Sequence, residues 1–145
     1  MSATIRSVEY YNLTVKDRPG EAYRLLSRLA QEGVSLLAFN AVPMGGDATQ
    51  LVIYPSRPEH LVAAAQAAGL ALTGPQPAFL IQGDDELGAL VEIHRKLYEA
   101  QINVYSSSGV TDGRGGYGYL VHVRSQDFET AARVLDSTTW KATAS

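Results

Sequence analysis

Residues 13–37 read LTVKDRPGEAYRLLSRLAQEGVSLL, and residues 81–105 read IQGDDELGALVEIHRKLYEAQINVY. The second stretch falls on the first when the chain is shifted by 68 residues. Asp17 then lies over Asp85, Gly20 over Gly88, Leu25 over Ile93, Leu29 over Leu97 and Val34 over Ile102. Further on, Val42 lies over Val110, Gly45 over Gly113 and Ala64 over Ala132, with no slip in register. Identities are few, but the apolar pattern is kept. Self-similarity at a fixed offset means that one folding unit is written twice. The expected units are residues 1–76 and 77–145, joined by a linker at TGPQPAF, residues 73–79, where Gly74, Pro75 and Pro77 cluster.

Each copy carries the same order of elements. Residues 9–16 are β-prone, and Ala22, Leu25, Leu26 and Leu29 then form the apolar stripe of a helix. Leu90, Ile93, His94 and Leu97 repeat that stripe. Gly33 ends the first helix. Two strands follow, residues 34–42 and 49–54, joined by a turn at Gly45-Gly46-Asp47. A second helix begins near Pro58, which suits a first turn. Its alanine content leaves the buried face ambiguous. A short last strand is expected at Leu70–Leu72, matched by Trp140. The order βαββαβ gives an α+β fold of two ferredoxin-like repeats, with antiparallel sheets and helices on one face. In the second strand Val34, Leu36, Ala38 and Val42 should face one way, and Leu37, Phe39 and Ala41 the other. Apolar residues on both faces predict a cover, from the other copy or from a second chain, so a homo-oligomer, a dimer, is expected.

Composition removes several classes of function. Hydrophobic residues make up 46% of the 145, too many for a disordered chain. Twelve basic residues stand against fifteen acidic ones, a net charge of −3, without like-charge runs. Nucleic acid and anionic membranes both need a basic surface, so neither is an expected partner. There is no cysteine, which excludes disulfides and thiolate metal sites. His60, His94 and His122 are scattered, so no metal or cofactor is expected. No signal-peptide core or membrane-length apolar run is present, and a cytoplasmic protein is expected. No nucleophile–base pair or metal spacing is visible, so no catalytic residue is assigned and the chain reads as a non-enzyme.

Two strings invite other readings. GRGGYG, residues 113–118, spells a dinucleotide fingerprint. That site needs a helix after the glycines to hold the pyrophosphate, whereas here a hairpin between two strands is expected. GYGYLVH, residues 116–122, is close to the aromatic strand of the RNA recognition motif, with Tyr117, Tyr119 and Val121 on one face. RNA binding through Tyr117 and Tyr119 is the alternative function; an interface role for the tyrosines is preferred. The first copy has Thr49 and Leu51 at those positions.

The segment VKDRPGEAYRLLSRLAQEGVSL, residues 15–36, resembles the ACT domain, a ligand-binding regulatory module of amino-acid metabolism. The likeness rests on D-R-P-G after the first strand, on the leucine spacing of the helix, and on E-G-V leading into the second strand. Residues 83–104 resemble it more loosely, with Leu87 for Pro19 and Gln101 for Gly33. Through the repeat, the resemblance covers nearly the whole chain. It implies a stand-alone tandem ACT protein, a regulatory sensor whose ligand is an amino acid.

The loop after the first strand opens a helix, whose free N–H groups suit a carboxylate. Asp17 or Asp85 would face the ammonium, and Gly20 and Gly88 would let the ligand approach the backbone. Asp17 would equally serve as a helix cap. The candidate ligand residues are therefore Asp17, Arg18, Pro19 and Gly20, with Asp85, Glu86, Leu87 and Gly88 in the second copy. The resemblance adds Ser35 and Asn103, two residues after the position of the closing glycine. Asn40 is a polar residue within an apolar strand, explained equally by a pocket or a strand edge. His94, in place of Leu26, reads as a hydrogen-bonded, partly buried histidine rather than a ligand contact.

Overall fold

A computed structural model describes residues 3–84, 88–135 and 138–139. The elements in chain order are β1 (Thr4–Lys16), α1 (Glu21–Gln31), β2 (Leu36–Gly45), β3 (Ala48–Pro55), α2 (Pro58–Ala68) and β4 (Thr73–Asp84). There follow α3 (Ala89–Glu99), β5 (Val104–Thr111), β6 (Gly116–Val123), a 3-10 turn (Ser125–Asp127), α4 (Phe128–Leu135) and β7 (Thr138–Thr139). The described residues fall into two units. Residues 9–76 form one, and residues 3–8 with residues 77–139 form the other. The expected division at 76/77 counted residues 3–8 with the first repeat, whereas their contacts lie with the second.

In the first unit the strand order is β2-β3-β1-β4. Tyr11 lies opposite Ile53 and Leu13 opposite Leu51, in antiparallel register. These four pack with Leu25 and Leu29 of α1, Val34, and Leu61 and Ala64 of α2. The stripe that predicted α1 is therefore the stripe that is buried. The order in the second unit is β5-β6-β4-β1, with β7 running parallel to β1 at Arg6–Thr138 and Ser7–Thr139. Its core joins Phe79, Ile81, Tyr119, Val121 and Val123 to Ile93, Leu97, Ala131 and Leu135, and Phe79 stacks on Phe128 at 4.4 Å. Ala3 and Ile5 pack against this core. Arg6 Nη2 donates to Gln82 Oε1 at 2.6 Å.

The structure moves four expectations. Residues 73–79 are not a linker but the first half of β4. A Cβ on Gly74 would lie 3.0 Å from the Tyr10 carbonyl oxygen, so only glycine lets this strand lie so close to β1. Leu70–Leu72 forms no strand; Leu70 and Leu72 pack on the first core instead. Trp140 lies outside the described residues. On β2 a register shift between Leu36 and Ala38 turns both Leu36 and Phe39 toward the core, where strict alternation would separate them. Finally, the repeat does slip. Strands β3 and β6 keep the 68-residue offset, but α2 opens at Pro58 and α4 at Phe128, 70 apart. The 3-10 turn takes up the two extra residues. Buried Leu61 and Ala65 thus correspond to buried Ala131 and Leu135, and Ala64 to Val134 rather than Ala132.

Helices α1 and α3 end alike. The Val34 N–H donates to the Leu29 carbonyl at 2.9 Å and the Gly33 N–H to Ala30 at 3.1 Å. In α3 the Ile102 N–H donates to Leu97 at 2.9 Å and the Gln101 N–H to Tyr98 at 2.9 Å. Both are Schellman closures, which need a left-handed residue between helix and strand. Gly33 meets that need at φ 77°, while Gln101 meets it at φ 61° with a side chain. A left-handed non-glycine residue costs about 1–2 kcal/mol, part of which glycine returns through its freedom in the unfolded chain. Gln101→Gly is expected to stabilise the protein by about 0.5–1 kcal/mol, a rise of a few degrees in melting temperature. Calorimetric melts check this; an unchanged or lower melting temperature would contradict it.

Candidate functional site

The loop between β1 and α1 is exposed from Asp17 to Pro19. The Asp17 N–H donates to the Asp47 carbonyl at 2.6 Å, tying the loop to the β2–β3 hairpin. Helix α1 is entered through Gly20 at φ 93°, ψ −11°. The N-cap position thus belongs to a residue with no side chain, and Asp17 is not the cap. The left-handed φ calls for glycine here; a Cβ would also lie 3.0 Å from Arg24 Nη1, though that flexible side chain could move aside. Helix α3 is entered in the same way through Gly88 at φ 77°. Asp85, Glu86 and Leu87 lie outside the described residues.

The charges around the two helix entrances differ. At α1, Glu21 Oε2 accepts from Arg18 Nε at 2.5 Å and from Arg24 Nη2 at 2.9 Å. The hydrogen bond from Arg18 first, and then that from Arg24, hold the Glu21 carboxyl below its usual range. Two guanidinium groups therefore stand at the positive end of the helix. At the repeated positions the second copy has Glu86 and Glu92. Glu92 is bound by Arg95 through Nε and Nη2, and Arg95 also donates to Glu99 at 2.8 Å. Sequence reasoning missed Arg24. The signal available was its place one turn into a helix that opens on glycine.

Ser35 and Asn103 follow the far ends of α1 and α3. Each helix has 11 residues, about 16 Å along the axis. Within one unit they are not brought to the Asp17–Gly20 or Gly88 entrance. Asn40 lies on β2 opposite Val52, which lies opposite Asn12 on β1. This row alternates with the core row of Tyr11, Ile53 and Phe39, so it faces away from the helices.

Tyr117, Tyr119 and Val121 do share a face, and it is the helix-covered one. Tyr119 and Val121 are buried in the core, and Tyr117 packs against it. Tyr119 Oη lies 2.6 Å from Nε2 of His94. His94 is thus hydrogen-bonded as expected, though it is exposed. A base-stacking platform needs its rings on an open face, so the RNA reading is corrected. The GRGGYG string forms the β5–β6 hairpin, and no helix follows it. Asp112 Oδ1 accepts from the N–H groups of Arg114 at 2.6 Å and Gly116 at 3.0 Å. Those backbone bonds, Arg114's first, keep the Asp112 carboxyl below its ordinary range. The turn is satisfied by its own aspartate and is not shaped around a phosphate.

Two surface clefts lie within single units. One, of about 510 Å³, runs along α3 between Leu90, Val91, His94, Arg95 and Tyr98. The other, of about 360 Å³, lies in the first unit between the end of α1 and the start of α2. Among the described residues no three His, Cys, Asp or Glu side chains cluster as metal ligands. Among them, too, no helix is long and apolar enough to cross a membrane.

No protein-family model and no curated protein matches the chain. Solved structures do. A Bacteroides thetaiotaomicron protein superposes with a TM-score of 0.75 at 16% identity, covering 92% of this chain and 88% of that one. The ligand-free regulatory subunit of aspartate kinase from Thermus thermophilus gives 0.65 at 13% identity, covering 94% and 96%. This chain folds as that regulatory subunit does. Aspartokinase alpha and beta subunits give 0.56 at 19% identity, covering 93% and 95%. The α+β fold of two ferredoxin-like repeats, implied by the ACT resemblance, is the fold observed.

One buried group gives this fold a pH dependence. His122 is buried, with Nδ1 3.3 Å from the Ser106 carbonyl oxygen, and burial pulls its pKa below the ordinary value. The unfolded chain therefore takes up the proton first. Stability should be full above the unfolded value of about 6.5 and decline as the pH falls through it. Urea midpoints are expected to drop between about pH 7.5 and 5.5, with a flatter profile in His122→Gln. Tyr119→Phe, which removes the bond to His94, should cost about 1 kcal/mol in the same assay.

Proposed function

We propose that the protein is a non-enzymatic, cytoplasmic regulatory module that binds an amino acid at the entrance of α1. The observation that carries this reading is the helix N-terminus at Gly20, with its glycine approach, two guanidinium groups and exposed Asp17. A ligand carboxylate would take the first N–H groups of α1 and displace Glu21 from Arg18 or Arg24. Its ammonium would turn to Asp17. The fold shared with an aspartate kinase regulatory subunit supports a regulatory role.

Asn103 alone would favour the second copy. The charges favour the first, because Glu86 and Glu92 stand where the first has Arg18 and Arg24. Ser35, Asn40 and Asn103 are not at the entrance of their own unit, and a neighbouring copy of the chain, in a homodimer, would be one way to bring such groups to the ligand. Binding would then shift the packing of copies and, through differential affinity, the state of a regulated partner.

A thermal-shift screen of the twenty amino acids should find at least one that raises the melting temperature, since a native-state ligand stabilises by mass action. In titration calorimetry with that amino acid, Asp17→Ala and Arg24→Ala should each weaken binding about ten- to hundredfold. Neither residue caps the helix, so the melts without ligand should change little. If no amino acid shifts the melt, or both variants bind as the parent does, the reading fails.

A further inference from the structure

We infer that the cleft between α1 and α2 of the first unit is a separate site for a small aliphatic amine. Its walls are Glu32 and Gly33 at the end of α1, and His60, Ala63 and Ala64 on α2. Glu32 places a full negative charge at the end of α1, where the helix dipole adds a partial one. That combination attracts a cation. The Glu32 carboxylate has Arg28 Nε at 3.5 Å, a long and exposed pair that leaves it free to share its charge. His60 lines the cleft from α2, and an imidazole carries a nitrogen able to accept from an ammonium. The first turn of α2 is fixed beneath it by the His60 N–H to Arg57 carbonyl bond at 3.0 Å. Ala64 is buried and forms an apolar floor for a short alkyl chain, beside the exposed Ala63. Gly33 leaves the mouth open, for a Cβ there would meet nothing within 4 Å.

The second repeat is an internal comparison. With the 70-residue offset of α2 and α4, Ala63 corresponds to Arg133 and His60 to Thr130. Glu32 and Gly33 correspond to Ala100 and Gln101. Arg133 Nη2 donates to Thr130 Oγ1 at 3.3 Å, so a guanidinium lies along α4 where the first unit has open space. The carboxylate is absent there and the charge is reversed. Open space, carboxylate and imidazole thus occur together in one copy and are all replaced in the other.

The site does not involve the α1 entrance, so it stands or falls independently of the amino-acid reading. The probe is n-butylammonium chloride, titrated into the full chain at constant ionic strength against sodium chloride. Amide resonances of Gly33 and Ala63 and the ring resonances of His60 are followed by NMR. Saturable shifts at these residues, below about 10 mM amine, are expected. Glu32→Gln, which removes the charge, and Ala63→Arg, which installs the second unit's residue, should each weaken the binding at least tenfold. Thermal melts of both variants should match the parent; if Ala63→Arg unfolds, Glu32→Gln decides alone. Absence of saturable shifts overturns the proposal, and so do shifts that persist in Glu32→Gln.

Discussion

Burial of one helix stripe against one sheet face is the constraint on which each unit depends. Leu29 and Leu97 are each only 1% exposed. Each is worth about 2–3 kcal/mol in transfer from water, and truncation to alanine would cost more through the cavity left behind. Their carbonyls also receive the closing bonds from Val34 and Ile102. A single residue therefore fixes the packing of the helix and the point at which the chain leaves it for the next strand. The rest of each unit is arranged around that point. β1 and β4 carry the facing apolar rows, and α2 and α4 complete the cover.

Much of this was legible in the sequence because it is periodic. The spacing of Leu25 and Leu29, repeated by Ile93 and Leu97, gave helix, face and repeat together. What was not legible lacks a local signature. Residues 3–8 carry no turn or pattern that assigns them to a sheet more than 70 residues away. TGPQPAF has the composition of a linker, and its strand character comes from lying against Tyr10 and Tyr11. Strict alternation misplaced Leu36 and Phe39 because a bulge adds a residue that no residue type announces. GYGYLVH was rightly given a common face, but parity along a strand does not say which face the helices cover.

The candidate site was legible in kind and not in detail. D-R-P-G marked the loop, and Gly20 is where a backbone needing a left-handed φ would have it. The cap alternative for Asp17 was decided only by the dihedral angles. Ser35 and Asn103 were named through the ACT resemblance, and the lengths of α1 and α3 separate them from the entrances. The two copies keep one backbone route into the helix and reverse the charge around it. A shared fold thus offers two different electrostatic addresses.

The placement of residues 3–8 bears on how the chain is made. A ribosome delivers them before residues 77–123, and the sheet they join is finished only when those have been synthesised. The described residues of the first unit, 9–76, are a contiguous stretch that can close while synthesis continues. The second must wait and then capture residues 3–8, a contact of very long sequence separation that folds slowly by its topology. Until then Ile5 has no core of its own to enter. Birth order and folding order are therefore opposed for residues 3–8, which ties completion of the second unit to a segment translated before the first unit.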